Sequence, residues 1–498
     1  MYDVRCTMYK GKMDNGCTKG QCTMDKGKMD NRQKTMDNGR WEISEHSLVN
    51  ILSESHYTPG EFANALGAPS FMELLKSIQP FALPWIKALL KAKVYYHVPK
   101  LNRLFAKECG EGWFGKRIWE IESITFSYRS QTVDGRDTIL SGRVTFLHHK
   151  DPSIPHQART ISVHTHQAFF DPKWAPLHNL MFVPLKVLWD SVVIEPDLQK
   201  WGITHGIEYD GGGSAVCMAH QLTDCIVAAL EIMRQHGVSL SQDGYTTNWG
   251  GSQGSMPTLY FAKWYDTEAP QWFKDALRLK SSFIVEGVSI VPELTKHIYQ
   301  DPKDFHLKPV TVVGYLKAFT EEQLGGYKPE DFVPQWWLDN KFQVNGKEIT
   351  FMDAVCHYIP EAMHPLSETI DSYAGLVAPD MLQEDGQVDI DCPKIQAWLA
   401  CLRKYNDVSG WQPAHDVYIA HAPADDMLPY KYAYDQYLAI SNNGQNPMVH
   451  MLDVPSMRLV PHGGMNPHFI IAFMAQIIMA FVENPEDLKK VFKAKGEK

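Results

Sequence analysis

Asn248-Trp249-Gly250-Gly251-Ser252-Gln253-Gly254-Ser255 contains the pattern G-x-S-x-G, with Gly250 and Gly254 two residues either side of Ser252. A β-branched and aromatic run at 245–249 precedes it and a run of helical periodicity at 257–265 follows it. The spacing therefore predicts strand, sharp turn, helix. A serine on such a turn is held in a strained backbone conformation, and the positions two before and two after lie too close to neighbouring backbone for a Cβ. The turn lifts Oγ above the sheet edge, and backbone N–H groups starting with Gln253 can hold a developing oxyanion. Five positions with three fixed arise by chance in a chain this long with a probability of roughly 0.1. The pattern gains its weight from the flanking strand and helix.

A serine hydroxyl is a poor nucleophile without a base, and the base needs a carboxylate to fix its tautomer. On this kind of turn the partners follow in the order serine, acid, histidine, each at the end of a later strand. A strand expected at 416–421 runs into Ala422-Pro423-Ala424-Asp425-Asp426-Met427-Leu428-Pro429. An acid just past a strand and before a helix-opening proline suits the orienting role, with Asp425 favoured over Asp426; an Asp pair there could also simply cap the next helix. After the last expected strand, 449–454, comes Val460-Pro461-His462-Gly463-Gly464-Met465-Asn466-Pro467-His468, then an apolar helix at 470–481. His462, in the glycine-containing loop, is preferred as base to His468 at the helix start.

Working outward, two β-rich runs at 118–129 and 138–148 are joined through Val133-Asp134-Gly135, a hairpin signal. Apolar runs at 160–164, 191–195, 245–249, 282–291, 416–421 and 449–454 then alternate with helices. One helix carries Leu222, Ile226, Ala229 and Met233 on a face, and Gly237 stands where a left-handed cap belongs. Strands apolar along their whole length, alternating with helices, indicate a mostly parallel twisted sheet covered on both faces, here with a leading antiparallel hairpin. The stretch 292–413 breaks this rhythm. It is rich in aromatics (Tyr315, Phe319, Trp336, Trp337, Phe342) and reads as a helical cap inserted over the sheet's C-terminal edge. The expected organisation is a disordered repetitive tail over 1–40, a helical extension over 41–117, the first part of an α/β core over 118–291, the cap, and the rest of the core over 414–498.

The 498 residues carry 48 Lys+Arg against 58 Asp+Glu, a formal charge of −10. This acidic balance argues against a nucleic-acid partner, which would need clustered basic side chains. No run reaches the roughly 18 apolar residues of a membrane span; the richest stretch, 71–90, is interrupted by Glu73, Lys76, Pro80, Pro84 and Lys87. Residues 1–40 repeat phrases with a period of 16, contain only Val4 from the Val/Ile/Leu/Phe set, and show no apolar segment of a signal peptide. At face value the chain is cytoplasmic; a lost signal sequence would make it secreted or periplasmic. Cys6, Cys17 and Cys22 match no zinc spacing, and His164 and His166 have no carboxylate or cysteine close in sequence, so no metal and no cofactor are expected. Gly211-Gly212-Gly213-Ser214 fits no phosphate-binding pattern and reads as a flexible loop.

From about residue 118 to 481 the chain resembles the α/β-hydrolase superfamily, and more distantly its secreted lipase and esterase branch with a large helical cap. Besides the serine turn, Val192-Val193-Ile194-Glu195-Pro196-Asp197 followed by Trp201-Gly202 resembles that fold's strand-four phrase, and Asp425-Asp426-Met427-Leu428-Pro429 resembles its acid-bearing loop. The resemblance implies Ser252 as nucleophile, His462 as general base and acid, and Asp425 as orienting carboxylate. No H-G-G-G motif follows 160–164; His164-Thr165-His166-Gln167-Ala168 stands there, making Gln167 the expected second oxyanion donor beside Gln253. The expectation is a serine hydrolase working through an acyl-enzyme on small-molecule or lipid-like carboxylic esters. A peptidase with the same machinery, or a non-catalytic binding protein of this fold, are the alternatives.

Overall fold

The computed structural model describes residues 46–58, 61–62, 119–453 and 493–494, apart from 152, 169–173, 181–185, 188–189, 288–290, 301–313, 345, 358–374, 424 and 426–427. The repetitive tail, most of the expected N-terminal extension, Asp426, His462, His468 and the closing helix lie outside the described residues.

The leading hairpin forms as its pattern predicts. Strands β2 (Trp119–Gln131) and β3 (Asp137–His149) pair antiparallel over their full length. Their turn closes with Gly135 N–H donating to Thr132 O, and Gly135 takes the φ of +79° that only glycine adopts without cost. A strand not anticipated, β1 (Leu48–Tyr57), adds to the outer edge of β2. The segment expected to be helical thus contains a strand. Its polar run Ser53-Glu54-Ser55-His56 suits a largely exposed edge, and the unpaired edge of β2 supplies the hydrogen-bond partners that an isolated helix would have to find within itself.

The remaining strands build one ten-stranded mixed sheet in the order β1-β2-β3-β5-β4-β6-β7-β10-β11-β12. Here β4 is His156–Thr165, β5 Ser191–Pro196, β6 Val238–Gly251, β7 Leu279–Val285, β10 Asp416–His421, β11 Val449–Asp453 and β12 Lys493–Ala494. The run β5-β4-β6-β7-β10-β11 is parallel throughout, so the strand ends expected to carry chemistry all emerge on one edge. The strand expected at 282–291 stops at Val285. Glu286 has φ +48°, which breaks the extended backbone, and Val291 already opens a helix, Val291–Gln300.

Helix α1 (Ala215–Gln235) is buried nearly all round because it lies against both the hairpin and the centre of the sheet. Ser214 Oγ accepts from Cys217 N–H at its start, and Gly237 at φ +68° follows its end. Among the described residues it is the helix long and apolar enough to cross a membrane by length and composition, yet 89% of its apolar window is packed inside the protein. Gly211 to Gly213 is packed rather than open: a Cβ at Gly212 would lie 2.4 Å from both Gln253 Nε2 and the Tyr315 ring, and one at Gly213 2.9 Å from Phe319.

Between β7 and β10 the described residues form the helices Val291–Gln300, Phe351–His357 and Pro393–Asn406 and a small hairpin, β8 (Lys341–Val344) with β9 (Lys347–Thr350), which the helical reading had missed. The stretch is tied to the core around the start of α1: Asn406 Oδ1 accepts from Ala215 N–H at 3.0 Å and Asn406 Nδ2 donates to Gly213 O at 2.7 Å.

Candidate active site

Strand β6 runs straight into a one-turn 3-10 helix, Ser252–Gly254, and then into helix α2 (Ser255–Thr267). Ser252 sits at the joint with φ +50°, a left-handed conformation that costs a non-glycine residue on the order of 1–2 kcal/mol. The surroundings hold it there. Ser255 Oγ is within hydrogen-bond distance of Gly250 O (3.0 Å) and Val285 O (2.9 Å), and Asn248 Nδ2 donates to Thr258 O at 3.1 Å, so strand, turn and helix are stitched together. Both motif glycines are sterically required: a Cβ at Gly250 would meet Gly254 O at 2.1 Å, and one at Gly254 would meet Thr165 O at 2.3 Å and His166 O at 2.5 Å.

These contacts place the end of β4 directly beside the turn. Gln167 lies there, its Oε1 3.8 Å from a Cβ built on Gly251. His166 is buried and its Nδ1 is 2.7 Å from Gln167 O; burial pushes its imidazole down to about 3, so it is neutral in the folded protein. His164 stacks on Trp249 with ring centroids 4.0 Å apart, its Nδ1 3.3 Å from Glu195 Oε1, and so packs within the sheet.

Gln253 is anchored through its side chain. Its Nε2 donates to Asp210 Oδ1 at 2.9 Å, the Gly212 N–H donates to the same oxygen at 2.9 Å, and Lys200 Nζ pairs with Asp210 Oδ2 at 3.0 Å. Lys200 and Asp210 are both buried, a charge pair whose carboxylate accepts from three donors. No local sequence pattern signals Asp210, because its side-chain partners Lys200 and Gln253 lie 10 and 43 residues away.

Asp425 follows β10 and is buried, with Leu428 N–H donating to its Oδ1 at 3.0 Å. It sits against two groups that sequence reading did not single out. His421 Nε2 lies 3.4 Å from Asp425 Oδ2 and 3.7 Å from Glu286 Oε2, and it is 2.6 Å from Leu428 O, to which its N–H donates. Glu286, fully buried, accepts from Ala422 N–H at 2.8 Å and stands beside the Asp425 carboxyl. Burial, reinforced by the neighbouring Asp425 carboxylate, pushes the Glu286 carboxyl well up. The ligand atoms of Glu286, His421 and Asp425 lie within 4.8 Å of one another, close enough for a cation. The His421 N–H is spent on the Leu428 carbonyl, and backbone N–H groups donate to Asp425 Oδ1 and Glu286 Oε1, while Glu286 Oε2 is buried without a hydrogen-bond partner among the described residues. Glu286 also links this cluster to the serine turn, since a Cβ at the adjacent Gly287 would lie 2.7 Å from Ser252 O. The structure thus brings Ser252, Gln253 and Gln167 together and places Asp425 at the end of the second strand along, beside Glu286; His462 and His468 lie outside the described residues.

The phrase Val192 to Gly202 also has a physical basis. Asp197 accepts from Ser141 Oγ at 2.7 Å and from Leu177 N–H at 3.2 Å, and Gly202, at φ +56°, leaves the room that a Cβ 2.5 Å from Asp197 Oδ2 would take.

No protein-family model and no curated protein sequence matches the chain. Solved structures do. The rice cell wall degrading esterase LipA from Xanthomonas oryzae superposes with a TM-score of 0.53 at 13% identity, over 76% of this chain and 93% of its own. A Legionella pneumophila protein superposes with a TM-score of 0.52 at 15% identity, over 87% of this chain and 97% of its own. This is an α/β-hydrolase fold. In the α/β-hydrolase sheet, ligands meet the chain outside the carboxyl ends of the parallel strands, the edge on which Ser252, Gln167, Glu286 and Asp425 gather.

Proposed function

We propose that the protein is a serine hydrolase that cleaves carboxylic esters through an acyl-enzyme, with Ser252 as nucleophile. The observation that carries this reading is the left-handed backbone of Ser252 on a turn whose two glycines are sterically obligatory. Such strain persists where a structure over-determines it, and it serves to present Oγ above the strand ends. In the proposed reaction a histidine of the loop after β11, His462 rather than His468, takes the Ser252 proton as Oγ attacks the acyl carbonyl, then delivers it to the leaving alkoxide; water resolves the acyl-enzyme by the reverse sequence. Asp425 fixes the imidazole and stabilises its cation. Glu286, kept neutral by burial, donates to Asp425 and positions it. The Gln253 and Gln167 N–H groups receive the oxyanion, with Gln253 held by Asp210.

The insertion between β7 and β10 supports an apolar acyl substrate. Tyr315 and Phe319 pack against Gly212 and Gly213, next to the Gln253 side chain, so aromatic surface borders the site. We read the insertion as a cap that shapes the acyl pocket. The ester-cleaving LipA shares the fold and favours the same bond. A panel of p-nitrophenyl esters and aminoacyl-naphthylamides tests this: ester turnover that vanishes in Ser252→Ala is expected. Turnover of the amides alone would make the protein a peptidase, and identical behaviour of wild type and Ser252→Ala would make it a binding protein.

A further inference from the structure

At the far side of the sheet from the serine turn, three antiparallel strands bring histidines and glutamates to one face. The β1–β2 register sets His56 opposite Glu122, and the β2–β3 register sets Glu120 opposite His148. Glu120 and Glu122, two apart on β2, point to the same side. We propose that His56, Glu120, Glu122 and His148 form a binding site for a divalent transition-metal ion of the zinc class, which clamps edge strand β1 to the sheet.

The separations suit an ion better than hydrogen bonds. His56 Nε2 is 3.7 Å from Glu122 Oε1, and His148 Nε2 is 3.7 Å from Glu122 Oε2 and 3.9 Å from Glu120 Oε2. These exceed hydrogen-bond length, whereas ligand atoms each about 2.1 Å from one ion stand roughly 3–4 Å apart. His148 gives the sharpest indication. Its Nδ1 is 3.0 Å from His149 O, a contact that orients the ring. Nε2 faces two carboxylates, and it is buried without a hydrogen bond among the described residues. One ligand atom each from His56, Glu120 and His148 lies within 4.8 Å of the other two, the span that a single ion can bridge.

The surroundings match a metal's outer shell. The His149 carbonyl orients His148, and His236, just past the end of α1, holds Glu122 with Nδ1 3.0 Å from Oε2. Lys150, 3.8 Å from Glu120, is the neighbouring cation, and the exposed His56 leaves one side open to water. Two imidazoles with carboxylates select zinc-type ions over calcium or magnesium. Strand β1 is mostly solvent-exposed along its length, so a clamp at its end adds what packing does not.

The test titrates chelator-treated full-length protein with Zn2+ by calorimetry and with Co2+ by visible absorption. Expected are one saturable equivalent, a Co2+ ligand-field spectrum without thiolate charge-transfer bands, and a rise in melting temperature on adding Zn2+. His56→Gln and His148→Gln should each weaken binding about 100-fold or more, and His236→Gln about 10-fold, as outer-shell changes do. All these side chains lie at the surface or its margin, and circular dichroism of each variant confirms that it folds. Absence of saturable binding, or binding unchanged in the His56→Gln/His148→Gln double variant, as ligation by Cys6, Cys17 and Cys22 would give, overturns the proposal.

Discussion

Ser252 occupies a backbone conformation that its side chain disfavours, and two glycines and the Ser255 hydroxyl make that conformation the one available. This much was written locally: G-x-S-x-G states which positions need no Cβ, and the neighbouring strand and helix state why. Glu286 was not legible, because nothing in Val285-Glu286-Gly287 reveals that the β7–β10 pairing sets it on Asp425. Its chemistry gives a sharp prediction. A carboxyl raised in the fold lends stability that is full below the ordinary carboxyl range and is lost as pH rises through the raised value, when two carboxylates would face each other. Glu286→Gln keeps a neutral group that accepts from Ala422 and donates to Asp425, whereas Glu286→Ala keeps neither. Ester turnover should fall about tenfold or more in Glu286→Ala, about 1.4 kcal/mol, and recover most of that in Glu286→Gln, whose alkaline limb of kcat and of melting temperature should be flatter than the wild type's. Equal loss in both variants, or an unchanged alkaline limb in Glu286→Gln, contradicts the positioning role.

At the scale of elements, strands whose sequence is apolar throughout were legible, since burial on both faces leaves little choice of residue; β10 falls on the expected 416–421. Where the sequence reading failed, long-range partners had decided the outcome. Strand β1 exists because β2 offers an edge, β7 ends early because Glu286 turns left-handed, and the glycines at 211–213 serve close packing under Tyr315 and Phe319 rather than mobility. The histidines and glutamates of β1, β2 and β3 were silent for the same reason, as cross-strand register alone brings them together. The loop joining β5 to α1 is held by the buried Lys200–Asp210 pair, which also grips Gln253. Removing one partner strands the other charge in the interior, so Asp210→Ala should cost about 3–5 kcal/mol of stability by chemical denaturation. A loss below about 1 kcal/mol would place this pair among those of surface worth only.

Over the whole molecule, one sheet gathers two separate side-chain clusters. Its parallel half gathers Ser252, Gln167, Glu286 and Asp425 at one edge, and its antiparallel half gathers the histidine–glutamate cluster. The insertion between β7 and β10, tied to the start of α1 through Asn406, stands beside the first of these. The architecture could be read from alternating strands and helices; for the proposed base the sequence offers His462 first and His468 second. The most direct test reacts the intact protein with a fluorophosphonate ester and maps the adduct by peptide mass spectrometry. The account predicts stoichiometric phosphonylation at Ser252, absent in Ser252→Ala; no adduct on the folded protein, or an adduct that persists in Ser252→Ala, would contradict it.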